Sequence, residues 1–146
     1  MHSDAHESRT KFKSNLQNQD PSRLPKARKN FIVELDGCVC TPLRHRKKLL
    51  PVHALRAKVV PSARNWLNRR YDGGDLICFF TTRPEGLRKS TETWLKKHGF
   101  RYHCLLMGKP SAIKYHYIDD RRVQATTFMG KFTPLIIKEQ QIEVFG

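Results

Sequence analysis

Four short apolar runs in this chain each end in side chains that can handle phosphate. Glu34 and Asp36 close the run FIVELD, Thr81 and Thr82 follow LICFF, Lys109 follows LLMG, and Asp119 and Asp120 follow YHYI. A phosphate monoester is a dianion, and moving its phosphoryl group needs a nucleophile, neutralisation of charge and a proton for the leaving group. Carboxylates, a hydroxyl and an ammonium supply these functions. Magnesium prefers hard oxygen ligands in an octahedron, which acidic groups at strand ends can offer. Glu34 and Asp36 are two residues apart, so on an extended strand they share one side while Leu35 points to the other.

These groups act together only if strands deliver them to one place. Residues 31–35 and 76–80 are short, nearly continuous apolar runs, the pattern of buried parallel strands. Residues 103–107 and 115–118 read as a third and a fourth strand, and 135–137 with 142–145 as a last strand and its end. Pro61 opens a helix that carries Ala63, Trp66 and Leu67 on one face and stops at Gly73 and Gly74. Residues 84–98 form a second helix, with Leu87, Thr91, Trp94 and Leu95 in one stripe, cations in the last turn and Gly99 as its cap. Residues 41–60 show no period, and LRHRKK reads as an exposed loop. Strand and helix in alternation predict an α/β fold with a mainly parallel central sheet and helices on its faces. Ligands of such sheets bind beyond the carboxyl ends of the strands, where all four polar tips fall.

A chain of 146 residues suits one domain with one core. Residues 1–30 are polar and aperiodic and include Pro21 and Pro25, so they are expected to be a disordered or loosely attached basic tail before a domain at 31–146. No run approaches the roughly 18 apolar residues of a membrane span. The first residues lack the apolar block of a secretory signal. A soluble, cytoplasmic protein with no membrane partner is the expectation. Cys78 and Cys104 sit in apolar runs and read as small core residues, and the Cys38-x-Cys40 spacing lacks the two-residue gap of common zinc knuckles. Neither a structural zinc nor a disulfide framework is expected.

The net charge of +15 is spread unevenly. No acidic residue lies between Asp36 and Asp72, whereas Arg44, Arg46, Lys47, Lys48, Arg56, Lys58, Arg64, Arg69 and Arg70 do. Such a field attracts polyanions without specifying which.

The order of the tips, together with the stretch TTRPEGLRKSTETWLKKHGFRYHCLLMGKP and the later YIDDRRV, resembles the haloacid dehalogenase-like superfamily of phosphohydrolases. Within it, this stretch is similar to small phosphatase-like proteins found near polysaccharide-biosynthesis functions. The likeness runs from about Phe31 to Val123. It implies a three-layer α/β/α Rossmann-like fold and magnesium-dependent hydrolysis of phosphomonoesters. By that resemblance Glu34 takes the nucleophile position, and Asp36 the acid/base position with its carbonyl on the metal. Thr81, with Thr82 beside it, holds the phosphoryl oxygens, Lys109 neutralises charge, and Gly37 allows the turn beside the phosphate. Glu34, Asp36, Asp119 and Asp120 form the magnesium site.

The chain departs from the pattern at two points. Glu34 stands where the family has aspartate, and its extra methylene moves the carboxylate by roughly 1 Å, a displacement that can cost ~100-fold in rate. Cys38 follows the glycine where threonine is usual, and a thiol is a weaker donor. Simpler roles stay open: a salt-bridged strand end for Glu34, a turn at Asp36-Gly37, a helix cap at Thr81 or Thr82, a surface lysine at Lys109, and an N-cap pair at Asp119-Asp120.

Only about forty residues separate Asp36 from the second strand, too few for a cap domain. An open pocket with Arg44, Arg46, Lys47 and Lys48 on its rim suits a phosphorylated polyanion, such as a nucleic-acid end. Three functions follow. One is a magnesium-dependent phosphatase. The second is a catalytically impaired relative that binds phosphate or phosphorylated partners. The third is a basic nucleic-acid-binding protein. Oligomeric state is not legible.

Overall fold

The computed structural model of the chain describes residues 19–43 and 48–132. Three strands, β1 (Asn30–Val33), β2 (Leu76–Phe80) and β3 (Cys104–Leu106), form one parallel sheet in the order β1-β2-β3. Phe31 lies opposite Ile77, and Cys78 opposite Cys104. β2 is central, and its near-continuous apolar run is buried as a two-sided strand requires.

Three helices join the strands: α1 (Pro51–Arg56), α2 (Ala63–Asp72) and α3 (Arg88–Lys97). A 3₁₀ turn at Glu85–Leu87 leads into α3. The core unites Trp66 and Leu67 of α2 and Trp94 and Leu95 of α3 with Ile77, Phe79 and Leu105 from one face of the sheet. Phe79 packs edge-on to Phe100, which stacks on Trp94. Each large apolar side chain so buried stabilises the fold by about 1.5–3 kcal/mol. Two polar ties fix the helices. Asn68 donates to the Gly99 carbonyl at 2.9 Å and accepts from the Arg101 amide at 2.9 Å, locking α2 to the turn after α3. Trp94 Nε1 donates to the Ala57 carbonyl at 2.8 Å, holding α3 against the segment after α1.

The α/β class and the parallel sheet are as the sequence predicts, and the consistent coarse description is a Rossmann-like arrangement. Four details differ. Residues 51–56 are helical because Pro51 sits in the first turn and the Leu50 amide donates to His53 Nδ1 at 2.9 Å. Ser62, with φ of 67°, separates Pro61 from α2, so the second helix starts at Ala63 rather than at the proline. No strand forms at 115–118. Every residue from 111 to 120 is exposed, so this run gains neither the pairing nor the burial that stabilises a strand. Finally, the helices found in the core all pack on the face of Ile77 and Phe79. On the opposite face Cys78 and Cys104 are buried but Ile32 is 53% exposed, and no helix of the described core cluster lies over it. The strand expected at 135–137 and 142–145 lies outside the described residues. No helix among the described residues is long and apolar enough to cross a membrane.

Candidate functional site

Beyond β1 the chain makes a tight turn that displays two acids. The Leu35 carbonyl accepts from the amides of Cys38, Val39 and Cys40 at 3.1, 2.8 and 3.2 Å, and the Gly37 amide donates back to the Cys40 carbonyl at 2.9 Å. Gly37 has φ of +85°, a conformation that disfavours any side chain. Leu35 is buried in the core, while Glu34 and Asp36 remain partly exposed at the tip, as strand alternation requires.

The tips of β2 and β3 are zipped together. The Thr81 amide donates to the Leu106 carbonyl at 2.9 Å, the Lys109 amide to the Thr81 carbonyl at 2.8 Å, and the Gly108 amide to the Arg83 carbonyl at 2.8 Å. This brings Lys109 across the sheet to β1, where its Nζ lies 2.9 Å from Glu34 Oε2. The other Glu34 oxygen accepts from the Leu35 amide at 2.9 Å.

Asp36 has a partner of its own. Arg83 is 2% exposed, and its Nε and Nη2 donate to the two Asp36 oxygens at 2.9 and 2.8 Å. Its Nη1 donates to Thr91 Oγ1 on α3 at 2.9 Å, and Nη2 also approaches Cys40 Sγ at 3.4 Å. Burial opposes the guanidinium's charge, but the Asp36 hydrogen bonds and carboxylate outweigh it and hold its pKa above the ordinary arginine value. The neighbouring thiols carry no charge at neutral pH. Burial pushes Cys38 up to about 11 and Cys40 up to about 12, with nearby carboxylates adding to the effect.

The candidate residues are distributed as follows. Glu34, Asp36, Gly37, Thr81, Thr82 and Lys109 all lie at the strand tips. The Thr81 hydroxyl is fully buried and accepts from the Arg83 amide at 3.2 Å, whereas Thr82 is exposed. Asp119 and Asp120 lie in an exposed, irregular stretch. Asp119 accepts from the Tyr117 hydroxyl at 2.7 Å and from the Arg121 amide at 2.9 Å, and the tyrosine bond above all lowers its pKa to about 2. Of the rim, Lys48 is exposed, and Arg44, Arg46 and Lys47 lie outside the described residues.

As placed, this donor set does not suit magnesium. The ion needs several hard oxygens free to turn towards it. Here Glu34 and Asp36 are each matched by a cation of the chain, and no cluster of three His, Cys, Asp or Glu side chains that could hold a metal occurs among the described residues. The tip carries two anions and two cations, so its charge is already balanced.

No family model matches the chain, and no curated protein matches it. Among solved structures it is similar to a chain in the Pnkp1/Rnl/Hen1 RNA repair complex, at 27% identity and a TM-score of 0.48, over 68% of this chain and 30% of that one. It is also similar to a chain in a structure of the Pnkp1/Rnl/Hen1 complex, at 22% identity and a TM-score of 0.49, over 67% of this chain and 32% of that one. A third similar chain is a Vibrio cholerae protein, at 24% identity and a TM-score of 0.45, over 65% of this chain and 82% of that one. The chain therefore spans about a third of the length of the two complex components.

Sequence reasoning passed over Arg83, Thr91 and Cys40. The one sequence hint for Arg83 is charge balance: two acids at one tip face a single cation, Lys109, and Arg83 is a cation close behind the tip of β2. Tyr115 was likewise missed as a site neighbour. Its ring lies 4.3 Å from Lys109 Nζ.

Proposed function

We propose that this chain binds phosphate monoesters at the corner between Lys109, Thr82 and the tip of β1, on a phosphohydrolase-type frame whose turnover is suppressed. One observation carries the reading: both carboxylates of the β1 tip are clasped by cations of the chain, Glu34 by Lys109 and Asp36 by Arg83. A nucleophile attacks phosphorus with a lone pair, and each Glu34 oxygen already accepts one hydrogen bond, which lowers its reactivity. A general acid must carry a proton towards the leaving group, and both Asp36 oxygens accept from a buried guanidinium instead. Lys109 has three N–H donors; one goes to Glu34 and the ammonium also faces the Tyr115 ring, which leaves a donor for an incoming phosphoryl oxygen. The open tip and the surplus of cations favour a phosphorylated polyanion over a small metabolite.

A working magnesium-dependent phosphatase is the second reading. It is favoured by the position of Tyr115 against Lys109, which starts the segment bearing Asp119 and Asp120 at the site itself. One experiment separates the two: phosphate release from an aryl phosphate, with magnesium, by the native chain, Glu34→Asp and Asp36→Asn. Release at background by the native chain and a rise in Glu34→Asp support the proposal. Magnesium-dependent release by the native chain that Asp36→Asn abolishes overturns it in favour of the phosphatase.

A further inference from the structure

We infer that the segment following Lys109 is a landing platform for single-stranded nucleic acid, with Tyr115 and Tyr117 as the rings on which bases stack beside a terminal phosphate held at Lys109. The inference rests on the phosphate-binding reading above and names its substrate class.

Tyr115 joins the two subsites. One face of its ring receives the Lys109 ammonium at 4.3 Å, and the residue is still 53% exposed. Its hydroxyl donates to the Pro110 carbonyl at 2.9 Å and accepts from the Ala112 amide at 3.3 Å, so the ring is held in place before any ligand arrives. Tyr117, two residues on, is 58% exposed, and its hydroxyl donates to Asp119. Two anchored, exposed aromatic rings beside a cation match the way single strands are bound without sequence readout, since every base has a face to stack and every linkage a charge.

The charge pattern supports the same partner. Asp20, Glu34, Asp36, Asp72, Glu85 and Glu92 are each ion-paired with a cation of the chain. With a net charge of +15 the chain still carries an excess of cations, and on the platform itself Lys114, Arg121 and Arg122 stand exposed against Asp119 and Asp120, three cations to two anions. An acidic protein would satisfy the cations but leave the rings without partners, which is why nucleic acid is preferred.

The test is fluorescence anisotropy with the full chain and three labelled decamers: oligothymidylate with a terminal phosphate, the same strand without it, and an abasic strand of equal charge with it. The phosphorylated thymidylate should bind tightest. Tyr115→Ala should weaken it about tenfold while Tyr115→Phe retains it, and Tyr115→Ala should weaken the abasic strand by much less than the thymidylate. Lys109→Ala should remove the preference for the phosphorylated end. Equal affinity for the abasic strand and the thymidylate, or no loss in Tyr115→Ala, overturns the platform. Tight competition by an acidic polypeptide reassigns the surface to a protein partner and also overturns it. A parallel titration with aryl phosphate keeps the two claims apart. If the ester binds and the bases add nothing, the platform falls alone; if neither binds, the phosphate site falls with it.

Discussion

Arg83 grips both oxygens of Asp36 from a position 47 residues further along the chain. Bidentate guanidinium–carboxylate pairs are among the stronger protein hydrogen bonds, and this one also reaches Thr91 on α3. The pair therefore ties the β1 turn, the β2 tip and α3 into one unit.

Breaking that pair should cost more than removing it whole. Arg83→Met leaves the Asp36 carboxylate without its partner and is expected to lose about 3–5 kcal/mol. The double variant Arg83→Met/Asp36→Asn should recover a substantial part of that. Urea unfolding of the native chain, Arg83→Met, Asp36→Asn and the double variant closes the cycle, and a double-variant loss equal to the sum of the two single losses would show that the pair carries no coupling.

Glu34 should oppose phosphate binding, because its charge faces the incoming dianion and occupies one Lys109 donor. Glu34→Gln is expected to tighten inorganic phosphate about three- to tenfold in calorimetry, the size of a modest charge interaction at a partly exposed site. Weaker binding in this variant would mean that Glu34 helps to hold the anion.

Magnesium should do little to the native fold. A ligand that binds the native state raises its stability in proportion to RT ln(1 + [L]/Kd). With both tip carboxylates already paired, the thermal midpoint should move by less than about 1 °C in millimolar magnesium. A rise of several degrees, lost in Asp36→Asn, would reveal a metal site at the tip.

The thiols beside the site give a pH signature. Cys38 and Cys40 are held at about 11 and 12 against an ordinary value of 9.0, chiefly by burial. Their folded values are raised, so the stability they contribute is complete below pH 9.0 and is lost as pH climbs through 11 to 12. Alkylation of Cys38 and Cys40 at pH 8, read by peptide mapping, should therefore be slow in the native chain and fast in urea, with their native rates rising only towards pH 11. Rapid labelling of the native thiols at pH 8 would contradict this.

Much of the frame could be read from residues alone because it depends on local pattern. LICFF is apolar without interruption, and a run that short and that apolar has little alternative to a central strand. Gly37, Gly74 and Gly99 mark turns through backbone freedom that the sequence declares. The run at 115–118 has tyrosines and an isoleucine, residue types that favour strands, but a strand also needs a neighbour and a covered face, and YHYI has neither. Arg83 escaped notice for the opposite reason. An arginine after a strand is ordinarily solvated, and its burial depends on Asp36, Thr91 and Cys40 arriving from three other elements.

The amino-acid order by itself determined which side chains reach the tips, because strand alternation and apolar continuity are properties of neighbouring residues. It also determined the excess of positive charge. Only the tertiary structure decided which charges meet. Glu34 and Lys109 lie 75 residues apart in the chain, yet their charged atoms are 2.9 Å apart once β1 and β3 flank β2. Coulomb attraction at that distance sets what the site can bind, and chain order alone does not specify it.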